Sequence, residues 1–464
     1  MRNAIFPLIP ALLLVLVAAS CAAWDTFLVL TTDYTTYGGA TAVDRADPWS
    51  ADIDVATVNS DAVGRWHDGL YYVVNRGAAN IQILDPAQGF ATVDQFSVGL
   101  GRNPQDIAFA PDGSAYVTCY DEAVFLRIDS ADGTILDSWS TAAFADADGL
   151  PETAQMLAVG GSLYVACQRL DRNGWWAPAG GSRLLVFDMF ARDWVDLDPG
   201  TPEIDGIPLA GQNPYTQLAK VPDEPALLVG TVGNWTVADA GLERIDLATR
   251  QPAGLAVSES ELGGEVLDVA VLVGNRGWCI VSDGAFVTHL KTFTTAGGDV
   301  ETVASAGGYD FETLAWDGAD LIYLCDRTLG AAGLRVFDAW TAEELTSAPV
   351  ALGRPPYMCV LPRESGATAV EAATPVPARL RAPWPNPANP RVNLAFAAAP
   401  GARVRLDVCD VRGRRLRTVH PRADAAGEGL FVFDGLDDAG RPLCSGSYRA
   451  VIDGRVSRSF ALVR

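Results

Sequence analysis

Histidine is nearly absent: the 464-residue chain has three, at positions 67, 289 and 420. None stands beside a Ser or Cys nucleophile pattern, so the sequence nominates no Ser-His-Asp set and assigns no catalytic residue. Cysteine occurs eight times but never at C-x-x-C spacing, which argues against a structural zinc site. No metal or cofactor is expected. Beyond the first two dozen residues no run approaches about 18 consecutive apolar residues, the length a helix needs to cross a bilayer. Positive charge is also short, with 34 basic residues against 57 acidic ones and a net charge of -23. Such a balance argues against nucleic acid or an anionic lipid surface as a partner.

What is present is apolar and modular. Hydrophobic residues make up 49% of the chain, enough for a sizeable core. The charge is unevenly placed: residues 24–378 hold 18 basic and 49 acidic groups, while 379–464 hold 15 Arg and eight acidic groups, so two differently built modules are expected. The opening "MRNAIFPLIPALLLVLVAASCAAW" has a basic start at Arg2, an apolar stretch and small residues before Trp24. That is the pattern of an export signal over residues 1–23. "VAASC" also resembles a bacterial lipobox, which implies lipidation of Cys21; cleavage after Ala22 or Ala23 by ordinary signal peptidase reads equally well. Membrane contact is expected only through that anchor. A linker rich in Ala, Thr and Pro spans 363–382. Cys119, Cys167, Cys279, Cys325 and Cys359 lie in apolar runs and read as buried thiols, whereas Cys409 and Cys444 lie in the C-terminal module and could bridge two strands there.

Short apolar segments recur through 24–362. "LVLT" at 28, "YVVN" at 72, "YVTC" at 116, "YVAC" at 164, "LVGT" at 228, "CIVS" at 279 and "IYLC" at 322 stand 44, 44, 48, 64, 51 and 43 residues apart. This is close to the 40–50 residues of one four-stranded propeller blade. Downstream of most of them a strand ends in Asp: Asp44, Asp85, Asp129, Asp188, Asp246 and Asp338. The interval after Cys279 lacks that landmark, so the sixth blade reads as degenerate. Turns such as "GRNPQDIAF" and "GYDFETLAW" precede the inner strands. The repeats begin at a second strand, "TFLVLTT", and end at an inner strand, "GRPPYMCVL". The expectation is an all-β, seven-bladed propeller closed by pairing of its two ends, followed by a small β-sandwich.

Tyr72–Asn75 and Tyr116–Cys119, each followed by a strand ending in Asp, resemble the YVTN-type, WD-repeat-like β-propellers. Cys in place of the motif Asn at 119, 167 and 325 implies that the adjacent loops are held differently. In 383–464, Pro385-Asn386-Pro387, Asn389-Pro390, Asp410 with Gly413-Arg414, Asp434-Gly435, Asp437, Gly440-Arg441, Ser445-Gly446 and Tyr448 resemble the FlgD-type immunoglobulin-like domain. That domain is also used as a type IX secretion sorting domain, and the secretion machinery is the partner it implies. Cys409 and Phe433 depart from the usual Tyr and Trp.

Loops before the inner strands and after the second strands should emerge on one face, around the mouth of the channel. That face would collect Arg76, Arg102, Asp106, Glu152, Gln155, Arg169 and Tyr215 in the first five repeats. Glu265, Tyr309, Glu312, Arg327, Arg354 and Tyr357 would join them from the rest, with Trp175 and Trp176 on an insertion. Arginines, carboxylates and aromatics at one rim suit a protein, a peptide or a glycan. "DADG" at Asp146 begins like a calcium loop and lacks the remaining ligands. The function these features favour is an exported, cell-surface, non-catalytic binding platform with a C-terminal secretion or attachment domain. The alternative is a propeller enzyme, a lactonase or quinoprotein-like oxidoreductase, with its site at the channel mouth.

Overall fold

All seven repeated segments become second strands of antiparallel sheets, and burial explains their composition. Ser114–Cys119, Ser162–Cys167 and Ala226–Thr231 are buried at every position. A strand covered on both faces reads as a continuous apolar run, while an outer strand such as Ala91–Ser97 is largely exposed and polar. The structure, a computed structural model, describes residues 26–362 except 46, 47, 202, 203 and 223. It also describes residues 379–463 except 382, 398–403, 405, 411–413, 420, 422–427, 438, 439 and 453–455. Residues 1–23, expected to be an export signal with Cys21, most of the linker, and His420 lie outside the described residues. The chain divides into two units, Met1–Val370 and Glu371–Arg464.

The first unit contains seven such sheets among the described residues. Their inner strands are Pro356–Val360, Ala62–His67, Pro104–Phe109, Thr153–Val159, Ala219–Val221, Glu265–Val271 and Phe311–Trp316. Successive sheets touch, and the inner strand of the seventh touches that of the first, so the sheets close into a ring. An apolar core fills each of the seven gaps between neighbours. This is a β-propeller. The seam lies in the first sheet, where Pro356–Val360 pairs with Thr26–Thr32 in the register Leu28 to Val360, Val29 to Cys359 and Leu30 to Met358. Packing there is tight: a Cβ on Gly64 would fall 2.3 Å from Val360 Cγ2.

The recurring Asp has a physical role. Asp85, Asp129, Asp188, Asp246 and Asp338 each end a third strand and accept the backbone N–H two residues on, at 2.8–2.9 Å, which fixes the turn to the outer strand. The sixth sheet does without it, since Thr294 donates its hydroxyl to the Gly297 carbonyl at 2.8 Å. Contrary to the degenerate reading, that sheet has all four strands, Glu265–Val271, Arg276–Ser282, Thr288–Thr294 and Glu301–Ala306. The seventh is the reduced one, with three strands and isolated bridges at Val350 and Glu344. Loops after the second strands are indeed held differently. Asn75 accepts from the Asn59 N–H at 2.8 Å and donates to Asn80 Oδ1 at 2.9 Å, whereas Cys167 offers only a thiol, 3.3 Å from the Pro151 carbonyl.

The second unit is a β-sandwich. A sheet of Arg379–Leu380, Val392–Ala397 and Glu428–Phe433 and a sheet of Arg415–Val419, Leu406–Asp410, Gly446–Ile452 and Val456–Leu462 share one core around Phe396, Phe433 and Phe460. Two turns are built alike. The Arg414 N–H donates to Asp410 at 2.9 Å and the Arg441 N–H to Asp437 at 2.8 Å, each Arg returning its Nε to the same carboxylate. No bridge joins the module's two cysteines: Cys409 is a buried thiol and Cys444 an exposed one.

Candidate functional site

Seven inner strands leave a channel, and its charged groups sit at chosen points. Asp106 and Asp268 occupy equivalent places in the third and sixth sheets, each at a register shift of its inner strand. There a carboxylate can reach its own next N–H and the neighbouring sheet at once. Asp106 accepts from Ile107 at 2.8 Å and from Met156 of the fourth sheet at 2.9 Å. Asp268 accepts from Val269 and from Leu314 of the seventh sheet, both at 2.9 Å. The two differ in charge compensation. Arg65 grips Asp106 through Nε and Nη2, both at 2.9 Å, and donates to Gln217 as well. Among the described residues Asp268 has no paired cation of that kind, and burial pushes its carboxyl up to about 7.

Above this level the channel opens into a cavity of about 610 Å³. Its wall is aromatic and amide. Tyr34, Tyr120, Tyr215, Trp235, Tyr309 and Tyr357 contribute rings, and Gln105, Gln155, Gln168 and Gln217 lie between them. Tyr34, Tyr215, Trp235 and Tyr309 are each roughly half exposed. Local contacts fix their poses: Tyr215 meets Trp235 edge-on at 5.4 Å, Gln155 Nε2 donates to the Tyr215 carbonyl at 2.8 Å, and the Arg327 guanidinium lies 4.1 Å over Tyr34. Among the described residues, the charged groups lining this cavity are Arg76, Glu312 and Asp268. Arg76 is tied to Asp61 at 3.1 Å and lies 3.5 Å from the Tyr357 hydroxyl. Glu312 stands 3.8 Å from Arg327, and burial outweighs that neighbour and Tyr34 to raise its carboxyl.

Of the residues nominated from sequence, Arg76, Gln155, Tyr215, Tyr309, Glu312 and Tyr357 line this cavity. Others hold the rim together. Asp106 is consumed by Arg65 and two N–H groups, and buried Glu152 holds Arg172 at 2.8 Å and the Leu170 N–H at 3.0 Å. Arg102 pairs with Glu122 at 2.7 Å, Arg169 donates to the Gly181 carbonyl at 3.2 Å, Arg327 serves the Pro356 and Thr32 carbonyls, and Arg354 covers Tyr37 at 3.4 Å. The insertion between Leu170 and Pro178 separates its two indoles. Trp176 stacks on Tyr120 at 6.3 Å beneath the Arg172 guanidinium, while Trp175 is 95% exposed. Glu265 lines a neighbouring cavity of about 260 Å³ together with Glu259, which burial and then Glu265 push up to about 8.

Sequence reasoning passed over Tyr34, Tyr120, Trp235, Gln105, Gln168 and Gln217. Tyr120 follows its second strand at the same offset as Arg76, so the loop rule that found Arg76 also reaches it, whereas Tyr34 and Trp235 stand further along their loops. Asp268 carried no signal beyond sharing an Asp–apolar step with Asp106.

These features define a β-propeller with an aromatic, amide-lined channel mouth. No family model and no curated protein sequence matches the chain. Among solved structures, hydrazine synthase of Kuenenia stuttgartiensis is 16% identical, covering 61% of this chain and 78% of its own, with a TM-score of 0.45. Apo AztD from Citrobacter koseri is 12% identical over 72% of this chain and 97% of its own, at 0.45. Virginiamycin B lyase from Staphylococcus aureus is 13% identical over 66% and 93%, at 0.42. At these scores the likenesses carry nothing about activity or ligand.

Proposed function

We propose that this chain is an exported, cell-surface binding protein whose propeller presents a rigid mouth to a glycan, with a peptide as the other ligand of suitable chemistry. The observation that carries the reading is the wall of half-exposed Tyr and Trp rings interleaved with glutamine amides around the 610 Å³ cavity. Aromatic faces cover the apolar face of a sugar ring, and amides donate to and accept from its hydroxyls without the desolvation cost of full charges. A second reading, a propeller enzyme with its site at this mouth, is favoured by one observation: a channel carboxyl, Asp268, held near 7. The resemblance of the repeats to YVTN-type propellers and of the C-terminal marks to FlgD-type sorting domains supports this reading. Residues 1–23 supply an export signal, with Cys21 as a lipidation point.

A glycan array probed with the full chain tests the binding reading. Tyr215→Ala and Tyr309→Ala should each weaken a positive signal by about tenfold with an unchanged melting temperature, since an aromatic anchor contributes on the order of 1–2 kcal/mol. Signals that ignore both substitutions would remove the mouth from the site. Turnover of a bound glycan would select the enzymatic reading. Mass spectrometry of the protein recovered from producing cells addresses export separately: acylated Cys21, or loss of residues 1–23, is the expected outcome, and an intact Met1 would overturn it.

A further inference from the structure

We propose that Cys325 and Cys359 are a disulfide-forming pair that pins the closing strand of the ring. Their sulfurs lie 3.7 Å apart, with both thiols buried in the core between the seventh and first sheets. Cys325 belongs to the second strand of the seventh sheet, Leu321–Asp326, and Cys359 to the inner strand of the first, Pro356–Val360. A bond between them would tie the closing strand to the seventh sheet, beside the seam where the ring closes. It would hold Pro356–Val360 in place as the template onto which Thr26–Thr32 docks.

Access to the two sulfurs is unequal, which orders the chemistry. Cys359 is 7% exposed and lines the channel on both sides of the Arg65 level, whereas Cys325 is fully buried. A small disulfide such as oxidised glutathione therefore meets Cys359 first. The Cys359 thiolate attacks one sulfur of the oxidant, forming a mixed disulfide and releasing one thiol. Cys325 then loses its proton and attacks the Cys359 sulfur, forming the internal bond and expelling the second thiol. The protein sulfurs lose two electrons, the oxidant's disulfide gains them, and the two protons leave with the two released thiols. Burial, followed by the neighbouring Cys325, raises the Cys359 thiol well above its ordinary value. Attack is accordingly slow in the closed ring and fast while the closing strand is still undocked.

The bond closes a loop between residues 34 apart in sequence. Removing that freedom from the unfolded chain should raise the melting temperature by roughly 3 to 6 °C. The test uses the full chain produced in a reducing cytosol, then held folded with oxidised glutathione at pH 8.5 for about a day. Alkylation after denaturation and mass spectrometry should find peptides containing 325 and 359 linked, with the thermal shift present. Reductant should abolish the shift, and neither Cys359→Ser nor Cys325→Ser should show it on oxidation. Free, alkylatable thiols at both positions would overturn the proposal, as would a bond whose reduction leaves the melting temperature unchanged.

Discussion

Asp106→Ala should cost the propeller about 3 kcal/mol, measured as a lower urea midpoint with tryptophan fluorescence as the probe. The substitution strands two groups at once. The Arg65 guanidinium, whose side chain is 11% exposed, loses both bonds of its bidentate pair and keeps Gln217 and the Gly64 carbonyl. The Met156 N–H loses the acceptor that ties the fourth inner strand to the third. Breaking a buried pair by removing one partner usually costs about 3–5 kcal/mol, and the lower end applies because Arg65 also lines a cavity of about 410 Å³ on the far side of the channel. Arg65→Met is the informative companion. It leaves Asp106 with two backbone donors and no paired cation, so it too should lower the urea midpoint. A midpoint for Asp106→Ala within about 0.5 kcal/mol of the parent would show that the clip between sheets carries no load.

The same pair of aspartates marks how far the sequence could be read. Repeat period, second strands and closure were legible because each rests on local pattern. A strand buried on both faces must be continuously apolar, so "YVTC" and "LVGT" announce themselves. An Asp that fixes a turn two residues on leaves its mark at a fixed place in each repeat. The site was legible only in part, because membership of the mouth depends on what each loop residue meets across sheets. Arg102 and Glu152 look like binding groups until Glu122 and Arg172 are found beside them, from segments 20 residues away in each case. Tyr34 and Trp235 look like loop-packing residues until the inner strands bring them to one wall. The sixth repeat shows the opposite error: Thr294 replaces the Asp device with a hydroxyl and the sheet is complete. There the absence of the motif Asp marks a different turn device, not a degenerate blade.

Asp268→Asn should flatten the dependence of stability on pH. The Asp268 carboxyl is raised from its ordinary value of 3.8 to about 7, mainly by burial. Between those values the folded chain holds a proton that the unfolded chain has released, so stability falls as pH rises through the window. Below the lower value Asp268 contributes no penalty; above about 7 the folded protein carries the whole cost of a buried charge, on the order of 4 kcal/mol. Glu259, raised to about 8, acts in the same direction to slightly higher pH. Carboxylates held low by backbone and side-chain donors, such as Asp246, Asp338 and Glu344, act oppositely: their contribution is present above the ordinary carboxylate range and is lost as acid protonates them. Greatest stability is therefore expected near pH 4–6, with a decline towards pH 8.5. Asn keeps one acceptor and forfeits the other, so the variant should be about 1 kcal/mol less stable than the parent at pH 5. At pH 8.5 it should match or exceed the parent. Urea midpoints at the two pH values decide the matter: if the variant loses as much between pH 5 and 8.5 as the parent does, Asp268 is ionised throughout and its cost is met elsewhere in the channel.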